Sequence, residues 1–229
     1  MPKLKVKWLS VAAPLNLAEI SERLVGLKFH RGGSAGIELI DIRRDYLVAR
    51  FVEEVIDTEV YTDPFGDKIV NEIRRYLSFT FNVYEGNGRF VFRVDNPPRS
   101  LKSFVGLLSD SFGLGFSISP LTIDILSFLD ELRVFLAVPH CVVRKIRIGN
   151  VRIEQSTLAR VEATSTNDAY ADISGLWRLE GAIVEKVTIE FRKVGYAGAL
   201  EIASSGVLSA DDELIDELTS MCIGFFDKK

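Results

Sequence analysis

The strongest constraint on this chain is strict alternation at 76–94. Leu77, Phe79, Phe81 and Val83 alternate with Tyr76, Ser78, Thr80, Asn82 and Tyr84, the period of two that marks a strand with one buried face. Glu85-Gly86-Asn87-Gly88 supplies a turn, and Phe90, Phe92 and Val94 then share one parity. A four-residue loop pairs residue 84 with 89 and 83 with 90. Phe79, Phe81, Val83, Phe90, Phe92 and Val94 then line one face, and Thr80, Asn82, Tyr84, Arg89, Val91 and Arg93 the solvent face. Asp95-Asn96-Pro97-Pro98 stops the strand. From the capping candidate Ser100, the stripe Leu101, Phe104, Val105, Leu108 and Phe112 predicts a helix ending at Gly113.

The same order recurs about 110 residues later: a strand through 184–194, a turn at 195–198, a strand from Ala199 and a helix from Ser209. A shift of 110 sets Phe79 on Ile189, Phe81 on Phe191, Phe92 on Ile202 and Leu108 on Leu218, and nine of twelve core positions agree. Upstream, Pro14 and Pro120 each open an amphipathic helix, with Asn16 and Thr122 as capping candidates and Asn16/Glu19 as a capping box. A tandem duplication over 1–113 and 114–229 accounts for this. Each half reads β-α-β-β-β-β-α, an α+β fold with a largely antiparallel curved sheet and its helices on one face. Residues 56–75 and 164–183 read as variable stretches within it.

This twice-repeated order resembles the TATA-binding-protein-like fold class over nearly the whole chain, at the level of topology. The resemblance implies a helix-free concave face for recognition, and DNA-binding members insert phenylalanine wedges from that face into the minor groove. No phenylalanine occupies the solvent parity of either hairpin here, and Glu190 and Glu201 occupy it in the second half.

Charge narrows the functional classes. Lys and Arg total 28 against 32 Asp and Glu, a net charge of −4 with an isoelectric point near 5.4, which opposes a generic polyanion binder. Residues 1–113 sum to +1 and residues 114–229 to −5. Two cysteines make neither a disulfide framework nor a zinc pattern. No apolar run reaches the ~18 residues of a membrane span, so the expectation is a cytoplasmic protein with reduced thiols.

Two local patterns suggest contacts. No acid occurs from Arg133 to Ile153, where Arg144, Lys145, Arg147 and Arg152 gather. Gly149-Asn150 reads as a two-residue hairpin turn, which sets Arg147 directly against Arg152. Such like-charged opposition makes sense against an anion or acidic partner, the alternative being a charged edge that blocks aggregation. On the first hairpin, Tyr84 with Arg89 and Arg93, extended by Arg99 and Lys102, reads as a stacking and phosphate-contacting platform, or simply as the polar side of an amphipathic strand. The glycines at 32–36 follow a helix rather than precede one, so they make no phosphate cradle. His140 and Cys141 are adjacent on a strand and point apart. No catalytic constellation, metal site or cofactor pattern emerges.

The expectation is therefore a non-enzymatic recognition module binding nucleic acid through exposed hairpin faces. The alternative is a protein–protein adaptor or homo-oligomeric subunit, which the mean hydropathy of +0.16 favours. A more distant alternative is an enzyme whose site a partner completes.

Overall fold

The computed structural model describes residues 3–86, 88–137, 140–154, 156–177, 179–193 and 196–227. In chain order they form β1 (Lys3–Ala12), α1 (Leu17–Gly26), β2 (Ala35–Ile42), β3 (Tyr46–Thr62), β4 (Lys68–Glu85), β5 (Phe90–Asp95), α2 (Lys102–Phe112), β6 (Ser117–Pro120), α3 (Ile125–Leu136), β7 (His140–Glu154), β8 (Thr157–Thr164), α4 (Ala169–Leu176), β9 (Ile183–Lys193), β10 (Tyr196–Ala203), β11 (Val207–Asp211) and α5 (Asp212–Asp227). The fold is α+β and its strands pair antiparallel. The chain divides into two compact units, Val11–Ile118 and Met1–Ser10 together with Ser119–Lys229.

In the Val11–Ile118 unit the strand order is β2-β3-β4-β5. Asn16 caps α1 through the expected box: its Oδ1 accepts from Glu19 N–H at 2.9 Å and its own N–H donates to Glu19 Oε2 at 2.8 Å. The inner face carries Leu47, Ala49 and Phe51 beside Phe79, Phe81 and Val83, all buried. Phe104 of α2 meets Phe51, Phe79 and Phe81 at centroid distances of 5.5, 5.3 and 4.9 Å. These tilted and edge-on contacts are the arrangement aromatic quadrupoles favour. Gly113, at φ +72°, ends the helix.

The hairpin forms with the expected faces, but its ladder runs two residues further. Tyr84 is opposite Val91 and Val83 opposite Phe92, and Gly86 N–H donates to Arg89 C=O at 2.9 Å. Because the slip is even, parity survives. The solvent face does not: Val91, Asn82 and Arg93 are buried, so both sides of β5 are covered.

In the other unit the order is β1-β11-β10-β9-β7-β8. Its core joins Val187, Ile189 and Phe191 of β9 to Phe128 of α3 and Phe225 and Phe226 of α5. Phe128 meets Phe225 edge-on at 5.2 Å, and Trp8 meets Phe226 at 5.6 Å. Several expectations are corrected. Gly149-Asn150 is no turn, because β7 continues through it with β8 on one side and β9 on the other. A reversal there would strand both ladders; instead the register shifts between Ile148 and Val151, with Asn150 at φ +58°, a β-bulge. Within the expected turn at 195–198, Tyr196, Ala197 and Gly198 belong to β10, while residue 195 lies outside the described residues. Ser209 lies in β11, and α5 starts at Asp212. The cap of α3 is Asp124, whose Oδ1 accepts from Leu126 N–H at 3.3 Å, rather than Thr122. Asp168 caps α4 by accepting from Ala171 N–H at 2.9 Å, and it also accepts from Val143 N–H at 3.0 Å just beyond the last β8 partner. One carboxylate thus begins a helix and closes a strand edge.

The first half has the expected element order, and the second adds α4 and β11 to it. Phe81 and Phe191 are both buried, yet Phe81 is opposite Val94 while Phe191 is opposite Gly198 and not Ser204. Parity is shared by the two hairpins; pairing register is not.

Candidate functional site

The basic residues of β7 sit among carboxylates. Arg147 faces Glu162 on β8 and Lys186 on β9, not Arg152. Its Nη2 reaches Glu162 Oε2 at 2.8 Å, and Lys186 Nζ reaches Glu201 Oε1 at 2.8 Å. Acid, base, base and acid thus cross β8, β7, β9 and β10, with Glu201 set diagonally from Lys186 because its direct partner is Thr188, beside a hollow of about 160 Å³ that Lys145 also lines. The hydrogen bond from Arg147, and then its charge, hold the Glu162 carboxyl below the usual carboxylate range; the same bond raises the Arg147 guanidinium. Arg144 Nε donates to Glu190 Oε2 at 2.8 Å, and its Nη1 to the carbonyls of Asn167, at 3.1 Å, and Thr166. Arg152 is exposed opposite Leu158.

The first-hairpin platform is not assembled on one open face. Arg93 is 8% exposed, and its Nε lies 3.0 Å from Asp95 Oδ1. Asn82 Nδ2 donates to Asp95 Oδ2 at 3.3 Å. Tyr84 is half-buried against Tyr46, ring centroids 5.6 Å apart, and Arg89 is half-buried beside the turn. Arg99 and Lys102 are exposed ahead of and at the start of α2. These five residues belong to the Val11–Ile118 unit and the β7 group to the other.

A second hollow, about 620 Å³, is bordered by both signs, Arg144 and Arg192 with Glu190 and Asp211. Burial pushes the Cys141 thiol upward, and Arg133 partly opposes that. Among the described residues no group of three or more His, Cys, Asp or Glu is placed to hold a metal ion, and no helix is long and apolar enough to cross a membrane.

No protein-family model matches the chain, and no curated protein matches its sequence.

The most exposed element of the sheet is one the sequence did not announce. β2 pairs with β3 only as far as Glu53, and β5 pairs with β4 only from Phe81. Residues 54–62 of β3 pair with 68–76 of β4 and, among the described residues, with no third strand. This two-stranded ribbon extends ~30 Å at ~3.3 Å per residue. At its tip Asp63 Oδ1 accepts from Phe65 N–H at 2.9 Å and Asp67 N–H at 2.8 Å, and Gly66 has φ +94°. Phe65 is 91% exposed. Val60, Val70, Tyr76 and Ile56 lie on one face of the ribbon, and Tyr61, Ile69 and Ile73 on the other, all exposed. The residues 54–76 carry six acids and three bases. The available signal was Asp63-Pro64-Phe65-Gly66-Asp67, a turn flanked by the strand formers Val60-Tyr61-Thr62 and Ile69-Val70.

Proposed function

We propose that this chain is a protein-recognition module, acting by binding rather than catalysis, and that the β3–β4 ribbon is its contact element. The observation that carries this reading is the exposure of apolar side chains on both faces and at the tip of a hairpin that, among the described residues, has no third strand. An isolated two-stranded hairpin is marginal in water. Exposed apolar side chains clustered on such an element fit a surface that a partner covers. The ribbon's three-charge acidic excess opposes a polyanion as that partner.

The nucleic-acid expectation rested on two arrangements that the fold rearranges: Arg147 is paired with Glu162, and Arg93 is buried against Asp95. Descent of the two halves from one β-α-β-β-β-β-α unit remains part of the proposal, supported by the shared parity of the hairpins.

The test is photocrosslinking with a benzophenone amino acid at Tyr61 or Phe65 in the intact chain, inside the producing cells. Covalent adducts to protein, including a second copy of the chain, are expected. Adducts to nucleic acid alone, or none at either site, overturn the reading.

A further inference from the structure

Resting on that reading, we infer that the ribbon's partner is a second copy of this chain, joined edge to edge along β4 about a two-fold axis at Ile73. The two edges of the ribbon differ in charge. β3 carries only acids over 54–62, namely Glu54, Asp57 and Glu59, so two β3 edges repel. β4 carries both signs, Lys68, Glu72, Arg74 and Arg75, and over 68–80 no strand occupies its outer side among the described residues.

Antiparallel pairing of two identical strands must keep each side chain on its own face, so one residue meets its own copy at the axis. With Ile73 there, Glu72 faces Arg74 of the second copy, twice by symmetry. Val70 then faces Tyr76, Asn71 faces Arg75 and Ile69 faces Leu77, over residues 68–78 of each copy. Other centres fare worse. Glu72, Arg74 or Arg75 at the axis sets like charge on like. Asn71 sets Lys68 against Arg74, and Val70 confines the pairing to 68–72. The charges needed are available. Glu72 lies exposed opposite Thr58, and Arg74, largely exposed, reaches Glu54 only at 3.8 Å. Pairing would make a four-stranded sheet of two ribbons, supplying the third strand each lacks and covering exposed Ile69, Val70, Ile73 and Tyr76.

The experiment is sedimentation equilibrium of the full chain over a dilution series, with charge reversals. The wild type is expected to reach twice 25.6 kDa and to dissociate on dilution. Glu72→Arg and Arg74→Glu should each weaken association roughly tenfold or more, since each turns two attractive contacts into repulsive ones. The double variant should restore it. Ile73→Cys should form an intermolecular disulfide on mild oxidation, and Val70→Cys should not. A dimer indifferent to both reversals, or linked through residue 70 in place of 73, overturns the inference. So does a chain that stays at 25.6 kDa at every concentration. If that monomer still crosslinks to another protein from Tyr61 or Phe65, self-pairing fails and the recognition reading stands; if it crosslinks to none, both fail.

Discussion

Arg147 and Glu162 face each other across the β7–β8 ladder, Nη2 to Oε2 at 2.8 Å. Arg147→Glu is expected to lower the denaturation midpoint, and adding Glu162→Arg to recover it, with both effects shrinking in high salt. Glu162 is depressed in the folded chain by Arg147. A depressed carboxyl stabilises above its unfolded pKa and loses that contribution as pH falls through the folded value. The stability difference between wild type and Glu162→Gln should therefore fade on acidification, as urea titrations at several pH values will measure.

Phe104 is the helix side chain on which three sheet phenylalanines converge. Phe104→Ala should cost about 3–5 kcal/mol in urea unfolding. Leu101, which lies outside α2 as its cap residue, should cost much less when replaced by Ala.

Gly206 sits at φ +78°, and a Cβ there would lie 2.5 Å from the Leu121 carbonyl oxygen and 3.1 Å from that of Trp8. Gly206→Ala should destabilise by about 2 kcal/mol or more. Gly26, at the end of α1 with nothing within 4 Å of its absent Cβ, gives the contrast. Gly26→Ala should be neutral or stabilising by up to about 1 kcal/mol. Thermal melts of the two variants test this.

What could be read in advance was whatever a local period specifies. The inner face of the first hairpin, the α1 capping box and the Phe104 stripe follow from spacing alone, because parity and helical phase are local. The face opposite was misjudged: Val91 and Arg93 are covered, and alternation says which side chains go together but not what lies over them. Gly149-Asn150 failed for a related reason. Its turn chemistry is real, as the positive φ of Asn150 attests, but strands on both sides of β7 outweigh a dipeptide preference and convert it to a bulge. The ribbon went unread because its apolar residues fall on both faces. It has no core to impose a one-sided pattern, and alternation reports only a half-buried strand.

Cys141 is half-buried, and burial raises its thiol pKa. Reaction with iodoacetamide near neutral pH should be slower in the folded than in the denatured chain, and should accelerate as pH rises toward the raised value. Arg133 lowers that pKa, so Arg133→Ala should slow the reaction further. Mass-resolved alkylation time courses decide the point; a folded-state rate equal to the denatured one would remove the assignment.

Residues 3–7 of β1 lie against β11, opposite Val207–Asp211. During synthesis β1 is therefore made some two hundred residues before its partner β11 exists. Until then Val6 and Trp8 have no β11 to pack beside. The Trp8 carbonyl can accept from Leu121 N–H earlier, but the β11 side of β1 waits for residues 207–211, so this pairing across some two hundred residues closes late. A deletion of residues 3–7 should accordingly expose the amides of β11 to exchange, although some two hundred residues separate the two strands in sequence.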